Sequence, residues 1–427
     1  FIDAHVPIKK GQLLIIIILL SFGFLAGRVG YLQIIKGIEY RGVAEGNRQR
    51  IIPIPSERGL IFDTNNTQLT KNVPNFSLAL IPQDLPRDSK KREELIETLA
   101  GLVNSSVEEI RETIDRYGSY SYESIIIKED LDYETALGIH IAAADIPGIY
   151  IHRGSKRFYI EQHDDVETSL PLSMSHILGY LGKLNPDELD ILYKVGYLPA
   201  DTLGKNGIEK QYEQVWRGTY GSERIEVDSL GKEQASIAEE APIDGNHVTL
   251  TIDIEMQKKL EEILTKTLER GGYSRAAAVI SNPQNGEIRA MVSLPAFDNN
   301  DFSGGIDYNT YQSYILDEDK PLFNRAIAGT YPSGSTIKPA IAAAALEENV
   351  ITPKKTFLST GGLQVGDWFF PDWQAGGHGR TDVRKSLAQS VNTFYYYIGG
   401  GYKDFVGLGV DKISKYLSEF GLHHQWE

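Results

Sequence analysis

The segment Tyr331-Pro-Ser-Gly-Ser335-Thr-Ile-Lys338-Pro339-Ala340, which runs on into Ala342 to Ala345, is the most informative part of this 427-residue chain. It places a serine and a lysine three residues apart where an alanine-rich helix begins. Positions i and i+3 share one helix face, so we expect the Lys338 amine to reach the Ser335 hydroxyl. Pro339 is tolerated only in the first turn of a helix. The pattern therefore predicts a helix that starts near Ser335 and carries a nucleophile with its own base.

The start of that helix also favours a neutral lysine. Unpaired backbone amides and the positive end of the helix dipole lie there, and both disfavour a protonated Lys338, as burial does. A neutral amine is able to accept the proton of Ser335. The alternative interpretation is a helix N-cap serine followed by a surface lysine.

A second motif, Ser390-Val-Asn392, lies 55 residues after Ser335 and opens the aromatic run Thr393-Phe-Tyr-Tyr-Tyr-Ile398. We expect most of this run to be core. Ser390 is predicted to relay a proton between Lys338 and a leaving amine, while Asn392 holds a substrate amide through its donor and acceptor. The alternative is a capping serine and a turn asparagine.

Ser-x-x-Lys followed by Ser-x-Asn resembles the first two signature motifs of the penicillin-binding serine D,D-transpeptidases. Further blocks are similar to class B, monofunctional, members of this family: Arg58-Gly-Leu-Ile-Phe-Asp63, Gly207-Ile-Glu-Lys-Gln-Tyr-Glu213, Leu250-Thr-Ile-Asp253, Gly286-Glu-Ile-Arg-Ala-Met-Val-Ser293 and Asn324-Arg-Ala326. The sequences of residues 331–335 and of the segment from Asp372 to His378 look most like those of the elongation-type members, and the division-type members are a close alternative.

The resemblance implies an α+β protein with an N-terminal transmembrane helix, a mixed α/β pedestal and a transpeptidase domain. The expected boundaries are 1–40 for a short cytoplasmic tail and anchor, 41–240 for a dimerisation-type pedestal with a head subdomain, and 241–427 for the catalytic domain. The third family motif, Lys-Thr/Ser-Gly, is absent, and the chain stops 35 residues after Asn392. We therefore expect the catalytic domain to be incomplete at residue 427.

Local patterns agree with this division. The proline-interrupted alternation of residues 50–58 predicts an edge strand, and residues 89–102 and 149–158 predict a helix and a strand in the pedestal. Residues 248–252 read as a strand and residues 254–270 as a long helix. Residues 276–280 and 287–293 read as a hairpin around Asn285-Gly286. This order suits an antiparallel sheet flanked by helices.

Residues 13–26 form an apolar run that, with its flanking residues, approaches the ~17 to 20 residues needed to cross a bilayer. Lys9 and Lys10 precede it, and no small-x-small cleavage site follows it. We expect an uncleaved, single-pass anchor in the cytoplasmic membrane with the N-terminus inside and the catalytic domain outside. The alternatives are a buried core helix and a cleaved signal peptide.

The amino-acid composition excludes some classes of partner and some kinds of metal site. The formal charge of −15 and the pI near 5.2 argue against a nucleic-acid partner. The sequence has no cysteine, so disulfides and thiolate metal sites are excluded. Some elongation-type relatives place a zinc ion near the cleft, and Asp372 and His378 are weak candidates for ligands here. Two candidates do not make a closed site, so we expect that no cofactor is required.

The predicted chemistry is acyl transfer. Ser335 attacks the penultimate D-alanine of a peptidoglycan stem peptide, terminal D-alanine leaves, and an amine of a neighbouring stem closes the crosslink; beta-lactams trap Ser335. The resemblance implies an elongation role beside a membrane glycosyltransferase of the shape, elongation, division and sporulation family. The alternatives are a division-type transpeptidase, a D,D-carboxypeptidase or beta-lactamase, and a non-catalytic membrane protein that binds peptidoglycan or beta-lactams.

Overall fold

The structure is a computed structural model that describes residues 8–40, 49–86, 88–117, 124–143, 146, 148–164, 166–199, 201–227 and 233–422. The chain forms two units, residues 1–329 and residues 330–427. Residues 1–7, the first part of the predicted tail and anchor over residues 1–40, lie outside the described part.

The first helix, α1, spans Ile8–Gly30 and continues as a π-helical turn over Tyr31–Ile35. Within the described residues, Leu13–Ile35 is the one helical segment long and apolar enough to cross a membrane, and none of it is buried. This exposure agrees with the predicted anchor and not with a core helix of the first unit.

The first unit mixes strands and helices. The strands are β1 Gln49–Ile54, β2 Ile61–Phe62, β3 Gln68–Leu80, β4 Ile125–Leu131, β5 Ile149–His163, β6 Val166–Ser169, β7 Leu181–Lys183, β8 Thr202–Gly204, β9 Gly221–Val227, β10 Glu233–Glu240, β11 Val248–Thr249, β12 Ala276–Ser281 and β13 Ile288–Leu294. The helices that follow α1 are α2 Ser89–Val103, α3 Val107–Tyr117, α4 Tyr133–Ala143, α5 Met174–Leu178, α6 Pro186–Leu192, α7 Gly207–Gln211, α8 Glu213–Trp216, α9 Ile254–Gly271, α10 Tyr308–Leu316 and α11 Arg325–Ala328.

The long antiparallel pair β3 and β5 forms the centre of a six-stranded sheet with the order β11-β2-β3-β5-β6, and β4 also pairs with β3. At the C-terminal end of β3, Leu78 to Leu80 are fully buried and join a core with α2, α3 and α4. A second core surrounds Trp216 and Tyr159. The predicted helix at 89–102 and the predicted strand at 149–158 are confirmed.

A separate three-stranded sheet has the order β1-β9-β10. The edge strand predicted over residues 50–58 is confirmed for residues 50–54, because β1 ends the order of this sheet and pairs with β9, where Pro53 faces Ser222. Proline has no amide hydrogen to donate, so the edge is where a strand tolerates it.

Beyond residue 248, the predicted helix is confirmed as α9, whose first turn is capped by the Asp253 side chain. The predicted hairpin is confirmed as β12 and β13, with Gly286 in the left-handed conformation that the turn needs. The strand expected over 248–252 is shorter, since β11 pairs in parallel with the two-residue β2. A short partner limits how far a strand can extend.

The second unit contains a 3₁₀ turn over Gly334–Ile337, and its longer elements are α12 Lys338–Glu347, β14 Phe357–Ser359, β15 Gly362–Val365, β16 Trp368–Pro371, β17 Gly379–Thr381, α13 Val383–Ala388, α14 Asn392–Gly400 and α15 Gly409–Glu419. Ala344 and Ala345 of α12 and Phe394 and Ile398 of α14 are completely or almost completely buried and share one core. Small alanines let the two helices approach closely. The helices α12 and α14 therefore pack directly against each other.

Candidate active site

Ser335 lies in the 3₁₀ turn that leads into α12 and is exposed. Gly334, just before it, has φ +54°, a conformation that strains any residue with a Cβ atom. The α-helix itself begins at Lys338, three residues later than expected, with Pro339 in its first turn. The tighter 3₁₀ geometry at the entry of the helix accounts for the difference.

Lys338 is buried, with 7% of its surface exposed. Its Nζ lies 2.8 Å from the carbonyl oxygen of Ser390, 3.0 Å from Ser390 Oγ and 2.7 Å from Asn392 Oδ1. The ring of Tyr395, one turn further along α14, has its centroid 5.3 Å from the same nitrogen. Every polar partner of the amine thus comes from the Ser390–Asn392 turn.

Ser390 has φ +52°, the left-handed conformation, which is uncommon for residues other than glycine. Its Oγ lies 2.8 Å from Ser335 Oγ and 3.0 Å from Lys338 Nζ. Strained backbone of this kind is concentrated at functional sites. The turn aims one hydroxyl at both the serine and the lysine that the sequence singled out.

The structure brings Ser335, Lys338, Ser390 and Asn392 together. The direct contact expected between Lys338 and Ser335 is replaced by a bridge, since no hydrogen bond within the described residues joins the two and Ser390 Oγ bonds to both. The Lys338 amine is instead taken by the Ser390 carbonyl, Ser390 Oγ and Asn392 Oδ1.

Burial lowers the pKa of Lys338 below its usual value, and the negative charge of Asp372 opposes that shift. Of the three oxygens around Nζ, only the Ser390 hydroxyl carries a proton that it can donate. In the structure, Nζ donates to all three oxygens and Ser390 Oγ donates to Ser335 Oγ. A neutral Lys338 has only two hydrogens, which the Ser390 carbonyl and Asn392 Oδ1 accept, so that its lone pair can accept the proton of Ser390 Oγ. The geometry allows Ser390 to pass a proton from Ser335 to the lysine.

Asp372 is buried beside this cluster. Five donors reach its two carboxylate oxygens: Ser359 Oγ at 3.0 Å, Trp373 N at 3.0 Å, Asn392 N at 3.1 Å, Thr393 N at 3.1 Å and Thr393 Oγ1 at 2.7 Å. Burial on its own raises the pKa of Asp372, but the bonds from Thr393, Asn392 and Ser359 outweigh burial and hold that pKa below its usual value.

The residues at the zinc position do not fit a metal site. His378 has both ring nitrogens buried without a hydrogen-bond partner, and its Nδ1 lies 3.7 Å from Asp372 Oδ2. The Asp372 carboxylate, however, is already occupied by its five donors. Within the described part of the chain, no group of three or more histidine, aspartate or glutamate side chains is placed to hold an ion. Structural zinc takes four ligands, and only two candidates are present.

Two neighbours of the cluster were not assigned from the sequence. Tyr395 faces Lys338, and the only signal for it is its spacing of three residues from Asn392 on one helix face. Asp372 appeared in the sequence only as a weak metal candidate. Its contact with the 392–393 amides crosses twenty residues and leaves no periodic signal.

Comparison with known proteins agrees with this arrangement. Residues 53–250 match the family described as "Penicillin-binding Protein dimerisation domain", and residues 276–427 match the "Penicillin binding protein transpeptidase domain". A curated relative, "Peptidoglycan D,D-transpeptidase MrdA" of Haemophilus influenzae, is 32% identical over 410 residues, which cover 95% of this chain and 59% of the relative. The chain thus spans about three fifths of that protein.

Solved structures are similar as well. A complex between penicillin-binding protein 2 and MreC from Helicobacter pylori gives a TM-score of 0.70 at 27% identity and covers 88% of this chain and 66% of that one. A peptidoglycan synthase complex that coordinates polymerization and crosslinking gives 0.60 at 25% identity, with 96% of this chain and 67% of that one covered. With the two domain matches following each other along most of its length, the chain belongs to the class B penicillin-binding proteins, which join a dimerisation-type pedestal to a transpeptidase domain.

Proposed function

We propose that this protein is a serine D,D-transpeptidase that crosslinks peptidoglycan stem peptides during cell-wall elongation. The observation that carries the proposal is the hydrogen-bonded chain from Ser335 Oγ through Ser390 Oγ to Lys338 Nζ, with Asn392 Oδ1 on the same nitrogen. The similarity to proteins named peptidoglycan D,D-transpeptidase supports the choice of substrate.

In the proposed mechanism, Ser335 Oγ attacks the carbonyl carbon of the penultimate D-alanine. Its proton passes to Ser390 Oγ while the Ser390 proton passes to the Lys338 lone pair. Lys338 then returns a proton to Ser390 Oγ, and the Ser390 proton passes to the nitrogen of the leaving D-alanine, so the acyl-enzyme forms with no net change of charge on the enzyme. Asn392 keeps a donor, Nδ2, for a substrate carbonyl.

The second half of the reaction distinguishes the proposal from hydrolysis. An amine of a neighbouring stem attacks the ester carbonyl and forms a new amide bond between the two stems. The proton of the amine passes through Ser390 and Lys338 to Ser335 Oγ, which leaves as a free hydroxyl. In a D,D-carboxypeptidase, water takes the place of the amine. Incubation of the full-length protein with stem-peptide substrate should yield crosslinked dimers, and exclusive hydrolysis would favour the carboxypeptidase.

We further propose the domain boundaries 1–40, 41–240 and 241–427, with the N-terminal helix as a single-pass anchor in the cytoplasmic membrane and the catalytic domain outside. A metal-free reaction fits a site whose carboxylate is occupied by hydrogen bonds. A membrane glycosyltransferase is the proposed partner, supported by the similarity to a synthase complex that coordinates polymerization and crosslinking.

Covalent labelling by a fluorescent penicillin tests the nucleophile. In full-length protein, Ser335→Ala should abolish labelling, because the ester cannot form without Oγ. Ser333→Ala is the matched control, since Ser333 is also exposed, lies two residues away and makes no side-chain bond to Lys338 or Ser390 among the described contacts. It should label like the wild type. Labelling that persists in Ser335→Ala would refute the assignment.

A further inference from the structure

The Ser390–Asn392 turn depends on a carboxylate from a distant segment. Helix α14 begins at Asn392, and its own N-cap residue, Val391, has no side chain that can accept a hydrogen bond. The first amides of a helix have no partner inside the helix. Asp372 supplies the acceptor that the N-cap residue lacks, since its Oδ1 accepts from Asn392 N and its Oδ2 accepts from Thr393 N.

Asp372 also fixes this helix start to a second point. Its Oδ2 accepts from the Ser359 hydroxyl at the end of β14, and from the Thr393 hydroxyl. The Ser359 Oγ in turn accepts from the backbone amide of His378. The carboxylate therefore ties β14, the loop that carries His378 and the first turn of α14 to one buried position.

That position determines where the partners of Lys338 lie. Asn392 is both the residue whose amide Asp372 binds and the residue whose Oδ1 lies 2.7 Å from Lys338 Nζ. Ser390, two residues earlier, is held in a left-handed conformation that persists only where its surroundings impose it. Without the carboxylate, two helix amides and two hydroxyls would lose their acceptor. The Ser390–Asn392 turn would then no longer be held in its present conformation.

We propose that Asp372 is a positioning residue for the proposed acyl transfer: its carboxylate caps α14 and so holds Ser390 and Asn392 against Lys338. This role differs from that of a metal ligand, for which Asp372 and His378 were the two candidates. The inference rests on the proposed function for its kinetic readout only. Asp372 does not touch the reacting serine, so it acts through the turn and through its charge.

The charge gives a signature that a purely structural role lacks. Asp372 is the charged group that acts on Lys338 in this unit, while the other neighbours of the amine are the neutral Ser390, Asn392 and the Tyr395 ring. Its negative charge favours the protonated amine. Removing it should therefore lower the pKa of Lys338 further and move the rise of acylation with pH to lower pH.

The experiment compares Asp372→Asn with Asp382→Asn in full-length protein. Asp382 is the matched control, because it caps α13 in the same unit by accepting from Lys385 N at 2.9 Å. Penicillin acylation rates are measured from pH 6 to pH 10, and amide hydrogen exchange is followed over residues 388–396. We expect Asp372→Asn to slow acylation by up to about 10²-fold at neutral pH, as misplacement of reacting groups does, to lower the pH midpoint and to speed exchange at the start of α14. Asp382→Asn should change none of these.

A second variant covers the case in which Asp372→Asn does not fold. Thr393→Val removes one donor to the carboxylate and keeps the charge, so exchange at the start of α14 should rise while the pH midpoint stays in place. Unchanged exchange in both variants would overturn the inference. So would stoichiometric metal in the purified protein together with loss of acylation after chelation. The exchange readout does not need acylation, so it can fail or succeed independently of the Ser335→Ala test.

Discussion

Ser390 is the residue on which the proposed relay depends, because its Oγ is the atom bonded to both Ser335 and Lys338. Ser390→Ala removes that atom and leaves the backbone carbonyl that Lys338 also binds. We expect penicillin acylation to slow by about 10²- to 10⁴-fold, the usual contribution of a positioned proton-transfer group. Stopped-flow measurement of labelling measures the rate directly.

Thr381→Val serves as the control for this change. Thr381 is buried in the same unit and its hydroxyl bonds only locally, to the carbonyl oxygen of Gly379. The variant loses a buried hydroxyl without touching the relay, so its acylation rate should match the wild type. If Ser390→Ala reacts as fast as Thr381→Val, the proton reaches Lys338 by a direct path and the bridge has no kinetic role.

At the scale of single residues, the sequence predicts which residues form the cluster but not how they are hydrogen-bonded to one another. Ser-x-x-Lys and Ser-x-Asn are local spacings, and the structure places all four residues within one hydrogen-bonded group. The left-handed backbone of Ser390 is set by its surroundings, because serine has no intrinsic preference for it. The bond from Asp372 to the 392–393 amides depends on a loop path that no spacing encodes.

Among the elements, a buried polar junction joins β5, α7, α8 and the segment before β2. Glu209 is fully buried and binds Arg58 at 2.6 Å and Arg157 at 2.9 Å. Glu213 binds the same Arg58 guanidinium at 2.7 Å. Because both arginines are almost completely enclosed, the loss of one carboxylate leaves positive charge without compensation.

Glu209→Gln should therefore lower the free energy of unfolding of the first unit by about 3–5 kcal/mol. Urea unfolding can follow Trp216, which is fully buried beside Arg58, in a background with phenylalanine at the other three tryptophan positions. The control is Glu167→Gln, which breaks the exposed pair between Lys71 and Glu167 and should cost less than about 1 kcal/mol. Equal costs for the two variants would mean that the buried junction contributes little.

The sequence predicts elements such as α9, the β12–β13 hairpin and the edge strand β1 because their signals are local: an aspartate cap, an Asn-Gly turn and prolines. It does not predict the register of β3 against β5, which pairs Asn72 with Arg157 across 85 residues. Nor does it predict the parallel pairing of β11 with β2. Such pairings depend on which hydrophobic faces meet after the intervening chain has folded.

At the scale of the whole molecule, pH acts on stability through groups whose protonation differs between the folded and unfolded chain. His176, 6% exposed on α5, is a clear case: burial lowers its pKa to about 4. The contact of its ring with the carbonyl of Pro295 opposes that shift, and the positive charge of Arg325 adds a smaller lowering of the pKa. The usual pKa of His176 is 6.5. Between these two pH values, His176 is protonated in the unfolded chain and neutral in the folded chain.

The sign follows from this difference. As pH falls from about 6.5 toward 4, the unfolded state gains a proton at His176 and the folded state does not, so the first unit loses stability with a slope of up to about 1.4 kcal/mol per pH unit. His176→Gln, neutral at every pH, should lose that part of the slope, measured by urea unfolding with Trp216 as reporter. His140→Gln, at an exposed position on α4, should keep the wild-type slope. If the slopes of wild type and His176→Gln coincide over this window, the histidine is protonated as easily in the fold as in the unfolded chain. Acid sensitivity must then come from other groups such as the half-buried His152, whose pKa is also lowered by its partial burial.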